Sequence, residues 1–488
     1  MPFRPMSRDQ VWLLPPSLDE LIPADHTARF VAAFVDGLER ETWIGMGLPV
    51  TAAAVGAWAY HPRALLSAWL YGFVIGVRST RKLETACWDQ LPFLWLTGAQ
   101  HPDHNTLWRF YQAHRAALRQ LFRRTVRTAI KLNLVDLALQ AVDGTKVAGN
   151  AARDRTHDQN GLRQILERVE VAIADLEAQN KEESSATAPR LPAALARQEA
   201  LRAQVEAALA EMSEEDGPTR VNLTDPDAVL LKGRQGYVVG YNAQLMVSPL
   251  QDESGDRIGH LITAAEVVTD PTDHAQLLPM IASARETTGQ DVDVTLGDGG
   301  FHSGPNLEAC AAQGHTILMP EAQTAELANP YHKDHFVYDP TTDTYTCPEG
   351  QTLTFRGVKE RTDRPTAWVY RAPVEVCRAC PVLALCTQLR REGRSIEIGP
   401  HEAALREHRA LMATPAAQDA YRQRKTLPEP TFGVLKEQQS ARRFLLRGLE
   451  NVRAEWTMLA TAFNLRTLAR LWRMGDPTTR YRLITATA

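Results

Sequence analysis

The stretch Leu139-Gln-Ala-Val-Asp-Gly-Thr-Lys146 begins as an apolar run that ends at Asp143. A second stretch, Val292-Asp-Val-Thr-Leu-Gly-Asp-Gly-Gly300, alternates apolar and polar residues and ends at Asp298. Both patterns predict β-strands. Exit loops at the ends of central strands gather reactive groups, so we expect both aspartates to follow strands of one sheet. An aspartate before glycine is also a common turn former, and this is the simpler interpretation of either pair alone.

A third acidic residue, Glu429, lies between two prolines in Leu427-Pro-Glu-Pro-Thr-Phe-Gly433, where a helix is predicted to begin. Alone, it would only complement the helix dipole. Two strand-end aspartates and a helix-borne glutamate can together hold a pair of hard divalent cations. Lys436 is predicted to share the helix face of Glu429, about 10 Å further along, where it suits a passing phosphate backbone.

The composition is that of a soluble protein of several domains, with 488 residues, 44% hydrophobic and 23% charged. The net charge of −4 argues against a chain that coats nucleic acid indiscriminately, but local basic clusters decide whether it acts on nucleic acid. The first residues lack the apolar segment of a signal peptide. The longest apolar stretch, residues 64–77, is too short to span a bilayer. Six cysteines do not suggest a disulfide scaffold, so a cytoplasmic protein without a membrane partner is expected.

Basic residues recur every four positions in a helix predicted from about Asp103 to Leu134. They are Arg115, Arg119, Arg123, Arg127 and Lys131. Steps of four drift slowly around a helix, so these cations would form one slanted ridge. A solvated helix face is the ordinary alternative, but no acid lies between Asp103 and Asp136 to neutralise the ridge. Contact with phosphates is therefore as well supported by the pattern as a solvated face.

Four of the six cysteines lie between the second and third acids: Cys347, Cys377, Cys380 and Cys386. The Cys377-x-x-Cys380 pair resembles a zinc knuckle, and the other two thiols would complete a tetrahedral site. Reduced structural thiols and a redox pair are the alternatives. We favour a structural Zn²⁺, because this segment has little periodicity and needs a staple.

These motifs together resemble bacterial insertion-sequence transposases of the DDE type, whose catalytic domain has a ribonuclease-H-like fold. The resemblance covers nearly the whole chain. Besides the three acidic motifs it includes Asp19-Glu-Leu-Ile-Pro-Ala-Asp-His-Thr-Ala-Arg29, Arg78-Ser-Thr-Arg-Lys82, His101-Pro-Asp-His-Asn-Thr106, Thr224-Asp-Pro-Asp227 and Gly240-Tyr-Asn-Ala243.

The resemblance implies that Asp143, Asp298 and Glu429 are the catalytic triad and bind two Mg²⁺ or Mn²⁺ ions. These would cleave the element's end and direct the new 3′-hydroxyl into target DNA. A related family signature falls on Tyr421, Arg424, Glu429 and Lys436, except that Arg424 lies one residue too far from the glutamate. Tyr421, Arg424 and Lys436 of this signature are expected to bind DNA. Arg443, which belongs to a second basic patch, is expected to bind DNA as well. The implied partners are double-stranded DNA and at least a second copy of the chain, in the cytoplasm at the nucleoid.

The predicted fold class is α+β: a ribonuclease-H-like mixed sheet flanked by helices, with an N-terminal all-helical domain, a helical-hairpin insertion and a cysteine-containing insertion. The predicted boundaries are a helical DNA-binding region at 1–135, a catalytic core at 136–155 and 220–320, a coiled-coil hairpin at 156–219, the cysteine-containing insertion at 321–420, and C-terminal helices that complete the core at 421–488. Two other functions stay open: a nuclease or resolvase that cuts without joining, and a catalytically idle DNA-binding regulator.

Overall fold

The structure is a computed structural model that describes residues 17–48, 59–183, 192–215, 217–233, 236–321, 329–360, 366–388 and 391–487. Within these ranges it combines helices with a mixed sheet, which confirms the predicted α+β class. No helix in the described ranges is both long and apolar enough to cross a membrane.

The N-terminal region is all-helical, as predicted, but its helices are shorter and more numerous than the sequence suggested. They are a 3₁₀ turn at Leu18–Leu21, α1 at Thr27–Asp36, α2 at Arg40–Gly45, α3 at Pro62–Ile75, α4 at Thr80–Asp89, α5 at Leu91–Thr97, α6 at His104–His114 and α7 at Arg119–Lys131. Asp103 caps α6 by accepting a hydrogen bond from the Thr106 amide at 2.6 Å. The single long helix predicted from Asp103 to Leu134 is wrong, since turns at residues 115–118 divide it.

Strands occupy the middle of the chain. They are β1 at Leu139–Ala148, β2 at Thr156–His157, β3 at Val221–Asn222, β4 at Val229–Gly233, β5 at Gly236–Gln251, β6 at Arg257–Val268, β7 at Val294–Leu296, β8 at Thr316–Leu318, β9 at Val337–Asp339, β10 at Thr344–Thr346, β11 at Thr352–Lys359, β12 at Ala367–Arg371 and β13 at Ser395–Ile398. The main sheet runs in the order β4-β5-β1-β7-β8, with β6 also paired to β5. Strands β1, β7 and β8 are parallel, whereas β5 is antiparallel to β1, β4 and β6.

The remaining helices follow the strands. They are α8 at Gln159–Glu183, α9 at Pro192–Met212, α10 at Leu277–Thr288, α11 at Gly304–Ala312, α12 at Val374–Arg378, α13 at Leu383–Cys386, α14 at Glu402–Met412, α15 at Pro415–Arg422, α16 at Pro428–Gly433, α17 at Leu449–Met474 and α18 at Pro477–Thr487. A π-helical segment, Val434–Gln438, extends α16.

Alternation along β1 and β5 gives the main sheet two apolar faces. One face carries Ala141 and Leu245 and joins the core formed with the N-terminal helices and α17. The opposite face carries Val142 and Met246 and packs on α10 and α11. Because side chains alternate, Asp143 points to the same face as Ala141, which is the side where the C-terminal helices lie.

Helices α8 and α9 pack against each other as the predicted helical hairpin, with Leu162, Val169 and Val205 buried along it. The residues that join the two helices, 184–191, lie outside the described ranges. The cysteine-containing segment, in contrast, forms a second antiparallel sheet in the order β13-β12-β11-β10-β9. The sequence had not predicted this sheet, because its strands are short and largely exposed.

The N-terminal and C-terminal regions are joined by a buried ion pair. The guanidinium of Arg78 contacts the Glu455 carboxylate at 2.5 Å, and their side chains are 4% and 2% exposed. Arg78 also donates to the backbone oxygens of Ser440 and Arg443. Glu455 in turn accepts from the Leu445 and Leu446 amides. This network fixes the chain that leads from the π-helical segment into α17.

Candidate active site

Strand register brings the two predicted aspartates to the same level of the sheet. Strands β1 and β7 are parallel neighbours, and Ala141 pairs with Leu296. Asp143 and Asp298 each follow that pair by two residues. One nitrogen of Arg424, Nη2, lies 2.9 Å from Asp143 Oδ2 and 3.7 Å from Asp298 Oδ2. The two carboxylates therefore share one site, although 155 positions separate them in the sequence.

Asp143 lies within β1 and does not follow it as predicted, since it pairs with Leu245 of β5. The turn interpretation of Asp143-Gly144 is therefore wrong. A Cβ atom on Gly144 would collide with the Gln244 side chain and would lie 2.7 Å from Asp273 Oδ1. The glycine thus keeps this part of the strand open to side chains on the neighbouring elements. Asp298 does lie in a turn after β7, where it accepts from the Gly300 amide at 2.8 Å.

The electrostatics of Asp143 are those of a crowded, poorly solvated carboxylate. Burial raises the pKa of Asp143 to about 6, and the nearby Asp298 and Asp273 carboxylates add to the rise. The Arg424 guanidinium and a hydrogen bond from the Gly144 amide act in the opposite direction. Arg424 is itself mostly buried, and its Nε has no hydrogen-bond partner among the described residues. One guanidinium therefore offsets only part of the negative charge collected here.

Sequence reasoning missed a residue that supports this site, Asp273. Its Oδ1 accepts hydrogen bonds from Asn242 Nδ2 at 2.7 Å and from Gln244 Nε2 at 2.6 Å, with Lys146 Nζ at 3.5 Å. This buried network lies directly against Gly144, on the opposite face of the sheet from Asp143. Asn242 and Gln244 could have indicated such a residue. Their amide side chains point to one face of a strand, and buried amides require a hydrogen-bond partner there.

Glu429 lies in the first turn of α16 and is exposed. Helix α16 packs against β1 and β5, and so lies against the strand that carries Asp143. In the π-helical segment after it, Lys436 donates to Thr145 Oγ1 at 2.5 Å, two residues from Asp143 on β1. Because a π-helix has more residues per turn, the straight-helix estimate for Glu429 and Lys436 does not hold. The C-terminal elements nevertheless approach the site from the side that Asp143 faces.

The donor set suits a hard cation in chemistry. Asp143 and Asp298 supply carboxylate oxygens, which hard cations prefer. The pKa of Asp143 is raised mainly by burial, with smaller contributions from Asp298 and Asp273. Among the described residues, no group of three or more His, Cys, Asp or Glu side chains is arranged to hold a metal ion. In this conformation Arg424 contacts both aspartates, and Glu429 does not complete a ligand set with them.

The predicted basic ridge is divided and partly neutralised. Arg115 is the C-cap residue that follows α6, whereas the others lie on α7. Arg119 pairs with Glu450 at 3.4 Å and Arg123 with Glu286 at 2.5 Å, so acids from distant parts of the chain compensate two of the cations. Arg127 and Lys131 line an open cavity of about 490 Å³.

Of the other residues predicted to bind DNA, Tyr421 and Arg424 lie near the carboxylates, whereas Arg443 lies at the far end of β1. Tyr421 of α15 is close enough for Arg424, Asp298 and Asp143 to affect it, and burial raises the pKa of its hydroxyl. The backbone of Arg443 bridges Ala148 at the end of β1, and its side chain is exposed. Arg424, in contrast, is bound to the aspartates themselves.

The four cysteines of the second sheet line one small cavity with Tyr331 and Arg394. All four are free thiols, and burial raises the pKa of Cys386. They do not form a metal-binding group within the described part of the chain, so the predicted zinc site is not supported. The second sheet instead has its own apolar core, to which Cys347 and Cys377 contribute.

Comparison with known proteins gives two matches. A family model described as a Transposase DDE domain matches residues 346–469, a range that includes Glu429 but neither aspartate. A second model, described as Transposase domain (DUF772), matches residues 16–113 in the N-terminal helical region. No curated protein matches the chain. Both matches are to transposase domains, and they support a DNA transposase function of the DDE type.

Proposed function

We propose that Asp143, Asp298 and Glu429 are the catalytic carboxylates with which this transposase cleaves the ends of its element and joins them to target DNA. The observation that carries the proposal is the convergence of Asp143 and Asp298 on one guanidinium nitrogen at the end of β7. The family match around Glu429 and the packing of α16 against β1 support the third member.

DDE transposases generally use divalent metal ions. Asp143, Asp298 and Glu429 would hold Mg²⁺ or Mn²⁺ here, and the bound ions would supply Lewis-acid charge and a lowered pKa of coordinated water. Holding them requires Arg424 to release the aspartates. Arg424 then becomes available for a DNA phosphate, with which a guanidinium forms paired hydrogen bonds. Lys436, bonded to Thr145, would hold a neighbouring phosphate in line with the carboxylates.

We assign the chain the domain division predicted from its sequence: a DNA-binding region at 1–135, a core at 136–155, 220–320 and 421–488, and insertions at 156–219 and 321–420. We also propose that the basic residues of α7, together with three residues outside it, contact DNA. They are Arg115, Arg119, Arg123, Arg127, Lys131, Tyr421 and Arg443. Transposition requires two ends to be held together, so we propose that at least two copies of the chain act jointly at the nucleoid.

A strand-transfer assay tests whether the protein joins DNA ends to a target as well as cleaving them. Purified protein is incubated with Mg²⁺, a pre-cut end fragment and a target plasmid. Joined products support a transposase that cuts and joins, whereas cleavage of an uncut substrate without joining supports a nuclease or resolvase. DNA binding without either reaction would indicate an idle regulator.

A structural Zn²⁺ at Cys347, Cys377, Cys380 and Cys386 stays a proposal from the cysteine spacing in the sequence. The four thiols line one cavity, but among the described residues they are not arranged to hold a metal ion. Metal analysis of the purified protein should find one zinc per chain, and Cys380→Ser should lose it. Cys87, which lies buried in α4, provides the matched control in Cys87→Ser. Protein that contains no zinc while the second sheet stays folded would contradict this assignment.

A further inference from the structure

A cavity of about 510 Å³ lies between the N-terminal helices, β6 and α17. Its volume is typical of sites that take a small molecule or a part of a larger one. Polar and charged side chains from α3, β6, the π-helical segment and α17 line it, together with His26 at the start of α1: Tyr71, His260, Gln438, Arg466, Arg470 and Arg473. The transposase-domain match at 16–113 contributes one wall and the DDE-domain match contributes another. The cavity is therefore a joint feature of both matched regions.

The charge in this cavity has one sign. Arg466, Arg470 and Arg473 follow one another at intervals of four and three residues, which places them on one face of α17. Within the described part of the chain, no carboxylate lines the cavity. The chain as a whole has 58 acidic residues and 54 Lys or Arg residues. A cavity lined by three arginines and no acid therefore departs from the average composition of the chain.

Two of the three guanidiniums have no partner among the residues that the structure describes. Arg470 donates to the Ile258 backbone oxygen. The side chains of Arg466 and Arg473 form neither a hydrogen bond nor an ion pair with any residue in the described ranges. In contrast, Arg453, which lies near the start of α17, pairs with both Glu266 and Glu450.

Arg470 and Arg473 are exposed, whereas Arg466 is partly buried. Burial lowers the pKa of Arg466, and no acid among the described residues counters the effect. Burial and the nearby Arg257 and Arg470 lower the pKa of His260, whose neutral ring can still donate one hydrogen bond. An anion with several acceptor oxygens would satisfy these donors at once, and arginine prefers phosphate for this purpose.

The cavity is also connected to the candidate active site. The π-helical segment Val434–Gln438 contributes Val434 and Gln438 to the cavity wall. Between them, Lys436 points to β1 and donates to Thr145, close to Asp143. One short segment therefore contacts both places.

We propose that this cavity binds a backbone phosphate of the DNA on which the transposase acts, through Arg466, Arg470 and Arg473. The assignment rests on the proposed function, since it takes DNA as the substrate. A phosphate held here would place the DNA strand across the π-helical segment and fix its register relative to Asp143 and Asp298. These arginines position the DNA and do not touch the reacting phosphate.

The test is a DNA-binding titration of the full-length protein in EDTA, so that it does not depend on cleavage. A fluorescein-labelled duplex of mixed sequence is titrated by anisotropy over a range of salt concentrations. Variants are Arg466→Gln alone and the triple change Arg466→Gln, Arg470→Gln and Arg473→Gln. The matched control removes three exposed arginines from the helical hairpin: Arg163→Gln, Arg168→Gln and Arg197→Gln.

The triple variant should bind about tenfold more weakly, because hydrogen bonds to a charged phosphate are lost. Its plot of log affinity against log salt should be shallower by about 1 for each phosphate contact removed. Arg466→Gln should lose about threefold on the same grounds, and it keeps the test valid if the triple variant misfolds, since the Arg466 side chain has no partner among the described residues. The control should bind like the wild type.

Unchanged affinity and salt dependence in both cavity variants would overturn the proposal. A parallel thermal-shift titration with inorganic pyrophosphate distinguishes a free anion from DNA. Stabilisation of the wild type by pyrophosphate, lost in the triple variant, without any change in DNA binding would also overturn the assignment to DNA. Failure of the proposed function would look different, since DNA would bind normally while metal-dependent cleavage was lacking or insensitive to Asp143→Asn.

Discussion

Replacing Asp143 with asparagine is expected to stabilise the folded protein at neutral pH even though it removes a catalytic group. Burial, together with Asp298 and Asp273, raises the pKa of Asp143 from 3.8 to about 6 in spite of Arg424. The unfolded chain releases this proton near pH 4 and the folded protein near pH 6. Between these values the folded state binds more protons, so its stability falls as the pH rises. Asparagine has the shape of the neutral acid and does not ionise.

The magnitude follows from the size of the pKa change. At 1.36 kcal/mol for each unit of pKa, the ionised carboxylate costs the folded protein about 3 kcal/mol above pH 6. Near pH 5 the cost is about half of that, because the folded protein is still largely protonated while the unfolded chain is not. The Asp143 side chain is 16% exposed, so solvent screens little of this effect.

The assay is urea unfolding in EDTA, followed by tryptophan fluorescence at about pH 7.5 and about pH 5. Asp143→Asn should raise the free energy of unfolding by up to about 3 kcal/mol at the higher pH and by about half as much at the lower. Asp291→Asn, which changes an exposed carboxyl paired with Arg285, is the control and should change little. A variant less stable than the wild type at pH 7.5, or equally affected at both values, would refute the electrostatic account of this site.

Three further outcomes are expected. Asp273→Ala should lower the free energy of unfolding by about 2 kcal/mol, because two buried amides lose their acceptor; no change in urea unfolding would contradict the network. Glu455→Ala should cost about 3–5 kcal/mol, because Arg78 is left charged and buried, and a loss of less than about 1 kcal/mol would show that the pair is dispensable. Arg424→Gln should reduce stability more at pH 7.5 than at pH 5, since removing the cation raises the pKa of Asp143 further; equal losses at both pH values would argue against its contact with that carboxylate.

The main sheet could be predicted because its signals are local. The apolar run before Asp143 and the alternation before Asp298 each specify a strand, and both strands exist. The two strands are parallel neighbours, and this pairing brings the carboxylates together. The connection between them is long and contains α8 to α10 and several strands. No local pattern encodes that pairing, so only the family resemblance could link the two aspartates.

The errors have physical causes as well. The α7 arginines lacked acids in the sequence around them, but the fold supplies Glu450 and Glu286 from far along the chain. Gly144 looked like a turn glycine, whereas it makes room within a strand for side chains from β5 and the loop at Asp273. The second sheet was missed because its strands expose many of their side chains and thus lack a clear apolar period.

The central claim is that Asp143, Asp298 and Glu429 act together on DNA, and Glu429 is its most demanding part. The direct measurement is Mg²⁺-dependent cleavage of a plasmid that carries the coding region with its flanking DNA, by the wild type and by Asp298→Asn and Glu429→Gln, with DNA affinity measured in parallel. Both variants are predicted to lose at least about a thousandfold in cleavage rate and to bind DNA as the wild type does. Cleavage by Glu429→Gln at close to the wild-type rate would contradict the assignment of this glutamate to the catalytic centre.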